Sequence, residues 1–373
     1  MKIRVAKENL LQAVNAVSPI VPAKSTMPIL FNILIEADDG EAGYLKLIAT
    51  DLDISLSYRI KATVEESGSI TIPARKFGEI VRALPNSPIA IEKTDEKVKI
   101  TCEKSNFILP GLPKSDYPSF PVKSFEGAYK FSNSTMRKLV ATTSYAASKE
   151  DDRPILKGIL WEIDKEESSM VGTNGHRLAK IVCKEKMDLE TPISVVVPPK
   201  AMEMIEKLCS EQGQVEIVID GRHIGIREDD IVIFSRLIEG TYPNYEQVIP
   251  LYNNKIAIVD TVKLEEALRR MLILANTVTH RIRLYFQEKQ ATVSVRTEEQ
   301  GEGEETIEID YTDEPLEIYF NGSYLTDVLK YVECEQVKIC MQTSESGILV
   351  VPATESESQR YFNVIMPLKV SEH

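Results

Sequence analysis

The chain has 373 residues, 43% of them hydrophobic and 27% charged, which suits two or three domains with real cores and excludes a disordered or fibrous chain. A formal charge of −13 excludes a general nucleic-acid coat. No apolar run approaches the roughly eighteen residues that span a bilayer, and MKIRVAKENLL carries charge where a secretory leader needs an apolar stretch, so a cytoplasmic location without a membrane partner is expected.

Taken in chain order, IRVAKENLLQAV from Ile3 reads as a strand running into an amphipathic helix over 7–17. MPILFNILIE follows at 27–36, and then Asp39-Gly40, a hairpin signal, precedes the strand-like YLKLIA. SITIPARKFGEIVRAL from Ser69 is a second strand-to-helix element, with Phe77, Ile80, Val81 and Leu84 spaced by three and four along a helix over 74–84. DYPSF closes this stretch at 116–120.

The pattern then returns. YKFSNSTMRKLV from Tyr129 opens a helix window over 134–147, RPILKGILWE at 153–162 repeats the earlier PILxxIL string, and ISVVVPPKAMEMIEKL from Ile193 leads into a helix over 199–208. VEIVID and HIGIR flank Asp220-Gly221 as a hairpin, and TYPNY at 241–245 answers DYPSF. Pro28 and Pro154 stand 126 positions apart and the two YP segments 125 apart, so the offset is shared by unrelated strings. A third copy begins with IAIVDTVKLEEAL at Ile256 and continues with LEIYFNGSYLTDVLKYV at Leu316, predicting helices over 261–272 and 322–332. Gly127 and Asn253-Asn254 mark joins, giving three tandem α+β repeats at 1–127, 128–254 and 255–373, each with two helices and antiparallel strands.

Charge is unevenly spread: the first repeat is neutral, the second carries −4 and the third −9. The six helix windows nevertheless hold twelve basic and seven acidic residues, and Arg82, Lys207 and Lys330 occupy one aligned place in the second helix of each repeat. Exposed helix faces often carry Lys and Arg for solvation alone. Gathered on one surface, these residues would instead make a positive track for phosphates, which need charge and no base contacts.

The sequence holds no phosphate-cradling glycine loop and no HExxH or CxxC pair, so no cofactor or metal is expected. Cys102, Cys183, Cys209, Cys334 and Cys340 read as reduced, mostly buried thiols. The one segment with a chemical look is Thr173-Asn174-Gly175-His176-Arg177, where a histidine beside an arginine in a glycine turn suits a structural or binding role better than acid-base catalysis. The acidic runs Glu150-Asp151-Asp152 and Glu228-Asp229-Asp230 read as solvated loops rather than divalent-cation sites.

The three repeats, PILxxIL in the first two, TNGHRLA at 173–179, EGTYPNYEQVIP at 239–250 and VIMPLKV at 364–370 together resemble the bacterial DNA polymerase III β subunits, the sliding clamps, along the whole chain. RPILKGILW looks more like the clamps of Gram-positive bacteria. The resemblance implies a DNA-clamp fold: a head-to-tail homodimer of six similar domains, helices lining a hole for duplex DNA and sheets forming the wall. It implies a non-catalytic processivity factor that tethers replicative and repair DNA polymerases and is opened by an ATP-driven clamp loader.

Family positions carry over where motifs match. A partner-peptide pocket between the second and third domains would use Leu156, Thr173, Gly175, His176, Arg177 and Leu178, then Pro243, Gln247 and Val248, then Val364, Ile365, Met366, Pro367 and Leu368. Its apolar walls would accept Leu and Phe side chains, with His176 and Arg177 fixing orientation. Gln247 and Lys369 stand where arginine is common in relatives, and Ser371-Glu372-His373 extends the usual end. DNA-facing candidates are Lys24, Arg75, Arg82, Arg137, Lys200, Lys207 and Lys330, and the ring would close through Phe107 and Leu109 of one subunit against Ile273 and Leu274 of the other. Two rival readings remain: a tandem-repeat interaction scaffold without DNA, which would share the repeats and the groove but gather no basic residues on one surface, and a hydrolase or deaminase centred on His176, which would need a carboxylate or metal nearby.

Overall fold

The computed structural model describes every residue except Asp39, Glu41, Ala42, Val122, Lys123, Asp151, Asp152, Glu299, Glu355 and 370–373. Most of the acidic run at 150–152, the first residue of the Asp39-Gly40 turn and the Ser371-Glu372-His373 extension therefore lie outside the described residues.

Among the described residues six α-helices form where the apolar spacing places them: α1 (Lys7–Val17), α2 (Ala74–Ala83), α3 (Asn133–Ala141), α4 (Pro199–Leu208), α5 (Thr261–Leu272) and α6 (Gly322–Leu329). The starts follow local chemistry. Asp260 accepts the Lys263 amide at 2.9 Å and Asn321 that of Ser323 at 3.0 Å, while α4 opens on Pro199, whose missing N–H costs nothing there. Helix α3 stops short of the expected 147 because Thr142 and Thr143 turn their hydroxyls back onto the carbonyls of Lys138 and Leu139, at 2.8 and 2.7 Å.

The chain divides into two compact units, each assembled from two separate stretches. The first, Met1–Asn133 with Lys207–Leu237, contains an eight-stranded antiparallel sheet. Its order is Tyr129–Ser132, Gln214–Asp220, His223–Glu228, Ile231–Arg236, Ile54–Lys61, Tyr44–Thr50, Asn32–Asp38 and Gly68–Pro73. A five-stranded sheet runs Thr63–Glu66, Lys2–Val5, Ile89–Thr94, Lys97–Cys102 and Ser105–Pro110. Helices α1 and α2 bury Leu10, Val14, Val17, Phe77 and Val81 in this unit. The Asp220-Gly221 hairpin forms as expected, with Gly221 at φ +50°.

The second unit, Ser134–Glu206 with Ile238–His373, repeats the plan. Its eight-stranded sheet runs Ile193–Val197, Ile159–Ile163, Glu167–Thr173, Arg177–Lys184, Gln359–Ile365, Ile348–Pro352, Gln336–Met341 and Lys255–Asp260. A four-stranded sheet runs Gly301–Glu308, Gln290–Thr297, Arg281–Gln287 and Leu316–Asn321. Trp161 is fully buried here and donates its indole N–H to the Ser168 hydroxyl at 2.8 Å.

The sheets do not stop where the repeats do. In each unit the eight-stranded sheet takes four strands from one repeat and four from the next, sewn together by Ile231–Arg236 on Ile54–Lys61 in one case and Gln359–Ile365 on Arg177–Lys184 in the other. Edge strands with unpaired N–H and C=O groups find partners this way. Cys102, Cys183, Cys209 and Cys340 are buried and Cys334 half-buried, all as thiols; burial pushes the Cys183 thiol up to about 11. Among the described residues, no helix is long and apolar enough to cross a membrane.

Candidate functional site

The Glu167–Thr173 strand turns into Arg177–Lys184 through Asn174, Gly175 and His176. Gly175 sits at φ +87°, a left-handed conformation that glycine adopts without the strain a Cβ brings. The Asn174 side chain accepts the amides of His176 and Arg177, both at 3.0 Å. The Thr173 hydroxyl donates to the Arg177 carbonyl at 2.6 Å and accepts the Gly175 amide at 3.1 Å. The TNGHR string is thus a turn held by its own side chains.

Arg177 is only 9% exposed. Its Nη1 donates to Asp327 Oδ2 at 2.7 Å, its Nη2 donates to the Tyr145 carbonyl, and its guanidinium lies over the rings of Tyr324 and Tyr145 at 4.5 and 5.2 Å. A desolvated cation needs fixed partners, and this one has them inside the unit. Asp327, Tyr145 and Tyr324 escaped the sequence reading, although Asp327 is the one acid in the α6 window.

The Gln359–Ile365 strand lies antiparallel to Arg177–Lys184, setting Val364 opposite Leu178 and Ile365 opposite Arg177. Alternation puts these two pairs on opposite faces of the sheet. On one face Leu178 and Val364 join Leu160, Val171, Val196 and Tyr245 in a buried apolar cluster, flanked by half-buried Ile155, Tyr242, Ile249, Leu349 and Phe362. Ile365, fully buried, belongs with Arg177 on the other face, so it supports the groove from behind instead of lining it. Leu156 is buried in the short turn Pro154–Lys157, where its carbonyl accepts the Ser148 amide at 2.8 Å; its neighbour Ile155 packs on the cluster.

The chain carries on past the strand, with the Met366 amide bonded to the His176 carbonyl at 2.9 Å and the Leu368 amide to that of Tyr319 at 2.7 Å. Gly175, His176, Pro243, Gln247, Val248 and Met366 are exposed, Pro367 and Leu368 half-buried, and Thr173 buried. Tyr242 donates to the Val171 carbonyl at 3.3 Å. Tyr245 donates to Glu162 at 3.1 Å and accepts from Lys180 at 2.6 Å; burial, reinforced by the Glu162 carboxylate, holds its phenol well above the usual range. The result is an apolar floor with an open rim of exposed apolar and polar groups, suited to receiving apolar side chains.

The basic candidates sit on or beside helices. Lys24, Arg75, Arg82, Lys207 and Lys330 are exposed, and Arg137 and Lys200 half-buried. In the first unit Arg75 pairs with Glu79 at 3.1 Å and Arg82 donates to Asn15 on α1 at 3.1 Å. In the second, Arg137 donates to the Glu206 carbonyl and Lys330 pairs with Asp327 at 3.2 Å. The Arg75–Glu79 pair is solvent-exposed and therefore weak.

Each unit also presents an outermost strand with apolar neighbours. Ser105–Pro110 ends the five-stranded sheet, with Phe107 38% and Ile108 65% exposed and Leu109 half-buried. Gly301–Glu308 ends the four-stranded sheet beside α5, beyond whose end Ile273 is 76% exposed and Leu274 half-buried. Among the described residues no group of three or more His, Cys, Asp or Glu could hold a metal ion, and His176 lends its amide to the turn and its carbonyl to the Met366 amide.

Comparison with known proteins agrees along the whole length. The N-terminal, central and C-terminal domain models of the DNA polymerase III beta subunit match residues 1–121, 130–244 and 246–369. The beta sliding clamp of Pseudomonas putida is 33% identical over 373 residues, covering 99% of this chain and 100% of that protein. Among solved structures, a Pseudomonas aeruginosa sliding clamp bound to griselimycin superimposes with a TM-score of 0.89 at 32% identity, covering 99% of this chain and 100% of its own. The Bacillus subtilis sliding clamp gives 0.89 at 28% identity with 100% of both chains covered, so identity to this Gram-positive protein is no higher than to the Pseudomonas clamps. The chain therefore belongs to the DNA polymerase III beta subunits, the sliding clamps, a family of three-domain, non-catalytic processivity subunits that serve DNA polymerases on DNA.

Proposed function

We propose that this clamp works as a cytoplasmic, nucleoid-associated homodimeric ring of six domains, three per chain at 1–127, 128–254 and 255–373. It encircles duplex DNA and carries replicative and repair polymerases on the groove built by Thr173, Leu178 and Val364, with Gly175, His176, Pro243, Gln247, Val248, Met366, Pro367 and Leu368 around its rim. The observation that carries this reading is the seating of Gln359–Ile365 against Arg177–Lys184, which brings chain separated by about 185 residues into one apolar floor. A partner's linear segment with Leu and Phe side chains buries them there, and main-chain groups at the rim supply hydrogen bonds.

One edge strand in each unit, Ser105–Pro110 in the first and Gly301–Glu308 in the second, supports head-to-tail closure, with Phe107, Ile108 and Leu109 meeting Ile273 and Leu274 of the partner subunit. An ATP-driven loader opens that joint. Lys24, Arg75, Arg82, Arg137, Lys200, Lys207 and Lys330 face DNA and hold it weakly, which suits sliding. The test is titration of a labelled peptide carrying adjacent Leu and Phe into full-length protein. Val248→Asp and Met366→Asp, both at exposed positions, should each weaken binding by about tenfold or more, and unchanged affinity in both would overturn the groove assignment.

A further inference from the structure

The Thr50–Ser55 turn of the first unit reproduces the Thr173–Leu178 turn of the second, bond for bond. The Thr50 hydroxyl donates to the Ile54 carbonyl at 3.0 Å, and Asp51 Oδ1 accepts the amides of Asp53 and Ile54 at 3.1 and 2.8 Å. Leu52 takes the place of Gly175, at φ +80°. The Arg236 amide donates to the Asp53 carbonyl at 2.9 Å, as the Met366 amide does to that of His176. Tyr117 donates to the Ile48 carbonyl at 3.4 Å, where Tyr242 bonds Val171. The strand registers agree too, so the cross-strand pair Ser55 and Phe234 corresponds to Leu178 and Val364.

Each chain therefore contains two copies of one groove, and their floors differ. In the first copy the small residue is Ser55 and the large one Phe234, which is 4% exposed. The Phe234 ring lies over Gly225, where a Cβ would come within 2.5 Å of it; the corresponding position in the second copy is Leu349. Phe120, in the place of Tyr245, meets Phe234 edge-on at 5.6 Å, and Phe125 meets it at 5.9 Å beneath the Arg227 guanidinium. At the rim, Asp53 and Arg236 pair at 3.8 Å where the second copy has His176 and Met366.

We propose that Phe234 is the internal occupant of the first groove, and that this one cross-strand exchange restricts each chain to a single partner motif. The proposal rests on the groove reading above and goes beyond it by assigning the residue pair that selects between the copies. The experiment is calorimetric titration of the Leu-Phe peptide into the full-length clamp, with circular dichroism melts as the folding check. Wild-type protein takes one peptide per chain. Ser55→Leu with Phe234→Val, which gives the first groove the cross-strand pair of the second, raises this to two. Leu178→Ser with Val364→Phe, the reverse exchange, weakens binding by about tenfold or more, since an oversized side chain in a packed floor costs at least that. Two peptides per wild-type chain, a folded Ser55→Leu, Phe234→Val protein that still takes one, or a folded reverse variant with unchanged affinity each overturns the proposal. If the first variant does not fold, the reverse variant decides. Failure of the groove reading is separate: it appears as unchanged binding by Val248→Asp and Met366→Asp.

Discussion

Arg177 shows what a single buried cation needs. Its charge is met by Asp327, its second nitrogen by a carbonyl, and its flat faces by two tyrosines, so removing it leaves Asp327 to its exposed pairing with Lys330. Arg177→Ala is expected to lower stability by about 2–3 kcal/mol, less than for a fully buried pair because Asp327 keeps some solvent. Urea unfolding of the variant beside the wild type measures this. A loss confined to peptide affinity, with stability unchanged, would return Arg177 to the ligand-binding role that its place in the motif first suggested.

At the scale of elements, Glu228 ties the start of α3 to the chain that leaves α4. Its Oε1 accepts from Asn133 Nδ2 at 2.5 Å and from the Ser210 hydroxyl at 2.6 Å, and its Oε2 accepts the Ser210 amide at 3.2 Å. Burial works to raise the pKa of this carboxyl, but the hydrogen bonds from Ser210, Cys209 and Asn133 outweigh it and hold the group below its ordinary 4.5. A pKa depressed by folding means stability that is present at neutral pH and is lost as pH falls through the folded-state value. Glu228→Gln should therefore cost about 1 kcal/mol at pH 7 and make the acid side of the stability curve shallower. Thermal melts from neutral to acidic pH would show it, and a curve parallel to wild type would mean that Glu228 contributes nothing to the acid limb.

At the scale of the whole molecule, two surfaces can be tested separately. Ile273→Asp with Leu274→Asp places charge beside the Gly301–Glu308 edge and should yield folded monomers by light scattering at concentrations where the wild type is a dimer; persistent dimers would put the joint elsewhere. For the proposed DNA contacts, Arg82→Ala, Lys207→Ala and Lys330→Ala combined should weaken duplex contact and lower the slope of log K against log salt by about 2–3, with peptide affinity unchanged. Neutral replacements are preferable because Lys330 pairs with Asp327, which also anchors Arg177. An unaltered slope would mean that these helix faces do not meet phosphate.

The sequence by itself determined the helices, the hairpin at Asp220-Gly221, the TNGHR turn, the threefold repeat and the family. Each of these depends on neighbours a few residues apart or on self-similarity, and apolar spacing, capping side chains and turn residues act over that range. The groove was legible only through family motifs, and those could not say which residues face it. Only the tertiary structure decided that Ile365 and Arg177 turn away from Leu178 and Val364, that Asp327 answers Arg177 across 150 positions, and that the sheets fuse across repeat boundaries. Strand partnership depends on closing loops of many lengths at nearly equal entropic cost, so local sequence leaves it open. Once the Gln359–Ile365 strand is seated, alternation assigns every side chain to a face, and a register change of one residue would exchange the groove floor for its support.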